Sequence, residues 1–342
     1  MIQINRAWLP AVRPPLSKGA SPAPPGVFQR SARPLSLTNA HPLTTTRTLL
    51  VHAYNSAMSN AHTALLRQLS ENSARYRDPV ERVNWSQLDT GSWWLPEPAL
   101  SLHGLPEFDA LPPAARQRLS QYEFINLMHC GLWLEGIFLQ RMSRRLRPGM
   151  PREEHEYLLH ELREEAGHSL MFLRAIEAGG LALPVGSWRE PRIASALGRF
   201  APAGSGLFWL AMLIGEDVSD KFNRYVRSQP DGINPAVRQI CTLHVVEEAR
   251  HISLARCKLE TALSGAGIMR RRLLSAAARL LLWQMALAFY FPPARFYELS
   301  GLKPGSRWRS AALRNPARRR FVAERLAPTV RALESHGLTV NA

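Results

Sequence analysis

The stretch HVVEEARHISLAR, residues 244–256, places three polar side chains along one side of an otherwise apolar helix. With 3.6 residues per turn, offsets of four and seven residues bring His244, Glu248 and His251 to within about 40° of one another around the axis. Such a stripe is costly to bury unless its side chains are paired or bind an ion. The stretch therefore predicts a buried polar site in a helical protein, made of residue types that bind metals.

The same pattern occurs twice along the chain. In each copy a glutamate inside an apolar run is followed by a Glu-x-x-His pair, after 30 residues in the first copy and 32 in the second. A lone Glu-x-x-His is weak evidence, because the spacing is common on solvated helices, but two matched copies are strong evidence. Four helices that contribute these groups make the two-metal carboxylate site of helical bundles. The residues are Glu135, Glu165, His168, Glu216, Glu248 and His251.

Hydrophobic periodicity predicts an all-α fold. Apolar residues recur with a helical period from about residue 113 onward, and alternating strand patterns are scarce. The sequence predicts a ferritin-like four-helix bundle with additional C-terminal helices. Residues 182–205 are rich in Pro, Gly and Ser and predict a loop, and residues 78–112 predict an irregular segment around the bundle. The predicted helices cover approximately residues 113–146, 151–179, 206–228, 236–263, 270–291 and 313–335.

Composition and charge divide the chain into three parts. Residues 1–57 contain six basic and no acidic residues and are rich in Pro, Ser and Thr, which predicts a disordered extension or a segment ahead of a true start at Met58. Residues 58–300 are predicted to form the bundle domain, and residues 301–342 a basic C-terminal helical tail. The net charge of +16 comes from residues 1–57 and 266–342, because residues 58–265 contain 23 basic and 24 acidic residues. A solvated arginine-rich surface accounts for it, so no nucleic-acid partner is predicted.

Cysteine usage and hydropathy bear on location. The chain has three cysteines without a CxxC spacing, which excludes a zinc ribbon and a disulfide framework and favours a reducing cytoplasm. The longest apolar run, LLLWQMALAFYF at 280–291, is shorter than the roughly 20 residues that a membrane helix needs. No stable membrane span is predicted.

The ligand types favour iron. Four glutamates supply four negative charges against the four positive charges of two ferrous ions, while the histidines bind as neutral ligands. The register leaves alternatives open, because Glu164, Asp217 and Glu247 each lie beside a predicted ligand. Asp220, one turn after Glu216, is predicted either to accept a hydrogen bond from a ligand histidine or to form a surface ion pair.

His244 adds a third histidine on the face of the second Glu-x-x-His pair. With it, the set resembles the seven-ligand site of the AurF-like diiron arylamine N-oxygenases, over roughly residues 58–300. The resemblance implies a di-iron oxygenase domain with two non-haem iron ions, O2 as co-substrate, an electron-donor reductase and a homodimer. It implies N-oxygenation of a small aromatic amine, free or carrier-tethered, through a peroxo-diferric intermediate. We expect His244 to direct that chemistry toward nitrogen.

Two other functions fit the same metal ligands. One is a di-iron C–H hydroxylase or desaturase of a lipid or carrier-bound substrate, and the other is a ferritin-like protein that binds and oxidises metal without an organic substrate. The candidate residues for a substrate pocket are Phe172, Phe208, Met212 and Arg295, the last as a partner for a substrate carboxylate. Core packing is the ordinary role of the three apolar residues, and an exposed surface is the ordinary place for the arginine.

Overall fold

The computed structural model describes residues 60–229 and 232–340, and helices form all the regular secondary structure in these ranges. The prediction of an all-α, ferritin-like bundle is confirmed. The predicted extension at 1–57 lies outside the described residues. The helices are α1 (60–73), α2 (Pro79–Arg82), α3 (Pro106–Asp109), α4 (Pro113–Ser143), α5 (Arg152–Ala178), α6 (Arg192–Phe200), α7 (Gly206–Ser228), α8 (Pro235–Ser264), α9 (Ile268–Tyr290), α10 (Ala294–Leu299), α11 (Gly305–Arg314) and α12 (Pro316–Ser335).

Four long helices form the centre of the bundle. Helix α4 packs against α5 and α7 against α8, and contacts of α5 with α8 and of α4 with α7 join the two hairpins. Local sequence defines where these helices begin. The Ser205 side chain accepts a hydrogen bond from the backbone N–H of Phe208 and caps α7. The Asn234 side chain caps α8 in the same way, and Pro235 follows it at the first helical position.

Glycines let the central helices approach closely beside the predicted ligands. A Cβ added at Gly215, next to Glu216 on α7, would lie 2.9 Å from Leu134 Cδ1. A Cβ at Gly131 on α4 would overlap the ring of Phe172, at 2.7 Å from Cδ2. These two contacts bring α4 close to α7 and to α5.

Two parts of the predicted helix pattern were incomplete. Helix α6 lies inside the segment 182–205, for which the sequence predicted a loop. The prolines of that segment flank the helix rather than interrupt it, since Pro191 stands at its N-cap, and the helix accommodates Gly198 in its last turn. At the C-terminal end, α12 corresponds to the helix predicted at 313–335, and α10 and α11 precede it in a part of the chain where no helix was predicted.

A buried arginine connects the C-terminal helices to the bundle through hydrogen bonds and an ion pair. Arg318 on α12 donates hydrogen bonds to the carbonyl oxygens of Tyr290 and Ala99, and its Nη2 lies 3.8 Å from Glu123 Oε2. Glu123 also accepts a hydrogen bond from the backbone N–H of Ser101 at 3.0 Å. Residues from α4, α9 and α12 therefore meet in one buried polar network. The division at residue 300 stays a prediction.

One segment is apolar enough to cross a membrane by length and composition. It is Ile268–Leu299, with a mean hydropathy of 1.4, and half of its most apolar stretch is buried inside the bundle. A core helix of a bundle passes the same test, so this observation is weak evidence for a membrane span. The absence of a stable span stays a prediction.

Candidate metal centre

The seven predicted ligands converge in the middle of the bundle. Helix α4 contributes one, α5 two, α7 one and α8 three, and every one of these side chains is at most 2% exposed. They are Glu135, Glu165, His168, Glu216, His244, Glu248 and His251.

Their ligand atoms form three overlapping groups, and within each group the atoms lie within 4.8 Å of one another. One group contains both Glu-x-x-His pairs, one contains His244 with Glu248 and Glu135, and one joins three glutamates from α4, α5 and α7. Shared members connect the groups into one cluster. A cluster of this extent has room for two neighbouring cations and more ligands than one needs.

Glu165 and Glu248 lie at the centre of the cluster. His168 Nδ1 is 3.3 Å from Glu165 Oε2 and 3.1 Å from Glu248 Oε1. His251 Nδ1 is 3.0 Å from Glu165 Oε1 and 3.2 Å from Glu248 Oε2. Each of these carboxylates therefore faces both histidines, which is the placement that a carboxylate bridging two cations requires.

His244 approaches the cluster from the side of α4. Its Nε2 lies 3.4 Å from Glu248 Oε1 and 3.6 Å from Glu135 Oε1. Asn223 contacts the other ring nitrogen, with its side-chain amide 3.0 Å from Nδ1. His244 thus presents Nε2 inward, whereas His168 and His251 present Nδ1.

Unpaired buried atoms show that the residues fit a pair of metal ions. Both carboxylate oxygens of Glu216, Oε2 of Glu135 and Nε2 of His244 are buried without a hydrogen-bond partner. A buried polar atom without a partner is costly, and such atoms are rare in folded proteins. All of them point to the one cluster, where cations would satisfy them together.

Crowding shifts the pKa values of the metal-free cluster in opposite directions. Burial, and then the neighbouring carboxylates, raise the pKa of Glu135 and of Glu216 well above the usual range. Burial alone would lower the pKa of His168, but hydrogen bonds to Glu165 and to Glu247 outweigh it and raise that pKa well above its usual value. Protons therefore occupy the cluster when cations do not, and cation binding has to displace them.

A second layer of carboxylates lies behind two of the histidines. His168 Nε2 lies 2.9 Å from Glu247 Oε2, and Arg82 Nη1 lies 2.8 Å from Glu247 Oε1. His251 Nε2 lies 3.0 Å from Glu164 Oε2, and Arg250 Nη2 is 2.9 Å from the same oxygen. Each histidine is thus supported by the residue that precedes the glutamate of the other pair. The register alternatives Glu164 and Glu247 occupy this outer layer.

Asp220 forms ion pairs, which was the second of its two predicted roles, although its side chain is buried rather than at the surface. Its carboxylate accepts hydrogen bonds from Arg224, at 2.7 Å, and from Lys221, at 3.0 Å. The nearby basic side chains on α7 therefore engage it, and Asn223 occupies the position beside His244 instead. Asp217, the third register alternative, pairs with Lys221 and accepts a hydrogen bond from Thr329.

A cavity lies against Glu135 and His244, and Phe172 lines it. Phe208 and Met212, two other pocket candidates, are buried in the core but do not line this cavity. Arg295 is half exposed, pairs with Glu298 at 2.9 Å and lines a separate surface cavity. Of the four pocket candidates, the structure brings only Phe172 to the cluster.

Sequence reasoning missed one buried acidic group beside the cluster. Glu161, on α5 one turn before Glu165, is fully buried, and neither of its carboxylate oxygens has a hydrogen-bond partner. Burial raises the pKa of Glu161 to about 8, and His251 opposes that rise. Its spacing of four residues from Glu165 was the available signal, because residues four apart share a helix face.

A comparison with models of known protein families finds a match that covers all four helices that carry the cluster. The family model of the p-aminobenzoate N-oxygenase AurF matches residues 59–337. This chain belongs to the AurF family. As a member it is an O2-dependent oxidoreductase, and the buried Glu/His cluster is suited to a two-metal centre.

Individual relatives add little about activity. An uncharacterized protein of Mycobacterium bovis and one of Mycobacterium tuberculosis are each 27% identical over 269 residues, which is 74% of this chain and 77% of theirs. Among solved structures, a variant of an R2-like ligand-binding oxidase with an anaerobically reconstituted Mn/Fe cofactor has 14% identity and a TM-score of 0.45, over 79% of this chain and 93% of the other. A likeness of that size says nothing about which metals this chain binds.

Proposed function

We propose that this AurF-family chain binds two iron ions through the seven-residue cluster and N-oxygenates an aromatic amine with O2. The observation that carries the proposal is the third histidine, because His244 brings Nε2 within 3.4 Å of Glu248 beside two matched Glu-x-x-His pairs. The AurF family model, which takes its description from p-aminobenzoate N-oxygenase, supports the choice of nitrogen as the acceptor. An electron-donor reductase and a cytoplasmic homodimer complete the proposal.

We assign the proposed ligands to different positions around the two ions. Glu165 and Glu248 lie between His168 and His251, so we assign them the bridging positions. Glu135 and Glu216 complete the negative charge, since four carboxylates balance two divalent cations and leave a nearly neutral site in a low-dielectric interior. The bound irons would supply activation of O2 and transfer of an oxygen atom to the substrate nitrogen.

The residues around the ions orient the histidines and exclude water. Glu247 and Glu164 accept the N–H of the outward ring nitrogens of His168 and His251, which leaves each Nδ1 free for a metal. Phe172 packs with its ring centroid 5.3 Å from that of His244 and covers the cluster on its cavity side. An amine bound in the cavity would have its nitrogen beside Glu135 and His244.

A product assay tests the proposal. The iron-loaded protein, given a reductant, O2 and an arylamine, is expected to form the hydroxylamine, nitroso or nitro product, identified by mass spectrometry. The His244→Ala variant is expected to keep iron but to lose most of the nitrogen-oxygenated product. Equal product from wild type and variant would remove the role assigned to His244, and no such product from any arylamine would contradict the proposed reaction.

The apolar lining of the cavity favours one competing function. Leu127, Met128 and Phe289 line it, and a hydroxylase or desaturase of an apolar substrate would use such a surface as well. The product distinguishes the two, because carbon oxidation leaves the amine intact. A metal-oxidising protein without an organic substrate would instead accumulate many irons per chain, whereas an oxygenase stops near two.

A further inference from the structure

The cavity beside the cluster is lined mainly by apolar side chains, together with four polar ones. Its volume is about 20 Å³, and two of the proposed metal ligands, Glu135 and His244, form one side of its wall. The remaining wall is dominated by large apolar side chains from α4, α5, α7 and α9. They are Leu127, Met128, Leu134, Phe172, Phe222 and Phe289.

The two other polar side chains in the wall are already engaged. The Ser219 hydroxyl donates a hydrogen bond to the carbonyl oxygen of Glu216 at 2.9 Å. The Asn223 amide lies against His244 Nδ1 at 3.0 Å. No lysine or arginine is among the lining residues that the structure describes. The part of a ligand remote from the cluster would therefore meet hydrocarbon and aromatic surface.

The basic side chains that follow Ser219 and Asn223 on α7 form ion pairs with aspartates. Lys221 and Arg224, on the same helix as Ser219, form ion pairs with Asp217 and Asp220. Arg295, the sequence candidate for a carboxylate partner, lies on another cavity and pairs with Glu298. A carboxylate carried into the cavity beside the cluster would be buried without a partner, which is far more costly than burying a neutral group of the same shape.

From these contacts we propose that the substrate is a neutral arylamine whose substituents remote from the amine are apolar. The inference rests on the proposed function and narrows it, since p-aminobenzoate itself carries a carboxylate. Glu135 and His244 can pair with the amine group of the ligand, and the rest of the ligand would meet mainly apolar side chains. Three phenylalanines and a methionine surround the ring.

Gly131 and Phe172 control the space for that ring. With the side chains as placed, the cavity holds little more than a water molecule, so the ligand has to displace Phe172 from its position over Gly131. A methyl group at residue 131 would take up part of the same space. Gly136 is on the same helix, and a Cβ there would meet nothing within 4 Å, so it provides a matched control.

The test compares two ligands of nearly equal shape. 4-Isopropylaniline and 4-aminobenzoate both carry an aromatic amine and a branched para group of three heavy atoms, but only the second is anionic at pH 7. Their dissociation constants are measured with the iron-loaded, reduced protein in the absence of O2. We expect 4-isopropylaniline to bind at least tenfold more tightly. Equal or tighter binding of 4-aminobenzoate, or binding of neither ligand, would overturn the inference.

Admitting O2 after binding separates this inference from the proposed function. Tighter binding of 4-aminobenzoate followed by its N-oxygenation would remove the inference and leave the function. Tighter binding of 4-isopropylaniline without any nitrogen-oxygenated product would support the cavity assignment and remove the function.

Two glycine variants test whether the ligand binds in the cavity beside Phe172. Gly131→Ala is expected to weaken binding of 4-isopropylaniline at least fivefold, whereas Gly136→Ala is expected to change it less than twofold. Iron content per chain, measured in both variants, establishes that each has folded around its metal ligands. Unchanged affinity in an iron-loaded Gly131→Ala protein would contradict the placement of the ligand.

Discussion

His168 and Glu247 contact each other on the side of the imidazole that faces away from the cluster. The distance between His168 Nε2 and Glu247 Oε2 is 2.9 Å, while His168 Nδ1 lies 3.1 Å from Glu248 Oε1. The outer carboxylate therefore fixes both the ring orientation and the nitrogen that carries the proton. Consecutive residues on α8 thus play different parts, since Glu248 faces the proposed ions and Glu247 supports a histidine from α5.

Removing the outer carboxylate is expected to weaken metal binding. In Glu247→Ala, His168 loses the acceptor that fixes its tautomer, and we expect the affinity for ferrous iron to fall about 10–100-fold. Competition with a chelator under anaerobic conditions measures the change. Glu177→Ala on α5, where the side chain is 73% exposed, is the control and should bind iron as wild type does. Wild-type affinity in Glu247→Ala would show that the contact does not support a ligand.

Metal binding is expected to release protons. Burial and the neighbouring carboxylates raise the pKa values of Glu135 and Glu216 well above the ordinary value, so in the metal-free protein these groups hold their protons to higher pH than a free glutamate does. A cation displaces those protons, and its affinity therefore increases with pH. Calorimetric titration in two buffers of different ionisation enthalpy counts the protons, and we expect at least two per chain at pH 7. Iron binding without proton release would contradict the assignment of these glutamates.

Glu161 is expected to make the metal-free protein less stable as pH rises. Its folded pKa of about 8 lies above the ordinary value of 4.5, so between these values the folded state binds a proton that the unfolded state has lost. The contribution of Glu161 is therefore fully present below pH 4.5 and is lost as pH rises through 8, by at most about 1.4 kcal/mol per pH unit.

Urea unfolding of metal-free wild type and Glu161→Gln measures this effect. The variant should lose less stability than wild type between pH 5 and pH 8, because glutamine does not titrate. Parallel pH profiles for the two proteins would show that Glu161 does not have a raised pKa.

Arg318 is expected to contribute strongly to stability. In Arg318→Met, Glu123 remains buried without its cation, and the carbonyls of Tyr290 and Ala99 lose their donor. Breaking a buried pair in this way costs about 3–5 kcal/mol. Denaturant unfolding gives the difference in free energy, with Arg331→Met, at an exposed position on the same helix, as the control. A loss no larger than the control's would mean that the network does not anchor α12.

The helices of the bundle were predictable because their signals are local. Apolar periodicity extends over several turns of α4, α5, α7 and α8, and the last two begin at a side-chain cap. Helix α6 was missed because its nine residues lie between prolines and glycines and offer only two turns of pattern. Its stability comes from packing on α4, α7 and α9, which a local pattern does not reveal.

The inner cluster was predictable from spacing, but its surroundings were not. Helical spacing places Glu165 and His168 on one face without reference to any other helix. The outer contact of His168 to Glu247 spans two helices and 79 residues. The Glu-x-x-His spacing favours Glu248 as a ligand but does not reveal what Glu247 contacts. Asp220 is a different case, because its partners Lys221 and Arg224 lie on its own helix, one and four residues away, at spacings that the local sequence displays. The ligand assignments themselves stay predictions.

Iron stoichiometry tests the central claim most directly. The protein is loaded with excess ferrous iron without O2, desalted and analysed for iron per chain, alongside Glu165→Ala and Glu248→Ala. The account predicts two irons in wild type and less than one in each variant, because both carboxylates lie between the two histidines. A wild-type chain that retains less than one iron, or variants that keep two, would contradict a two-metal centre at this cluster.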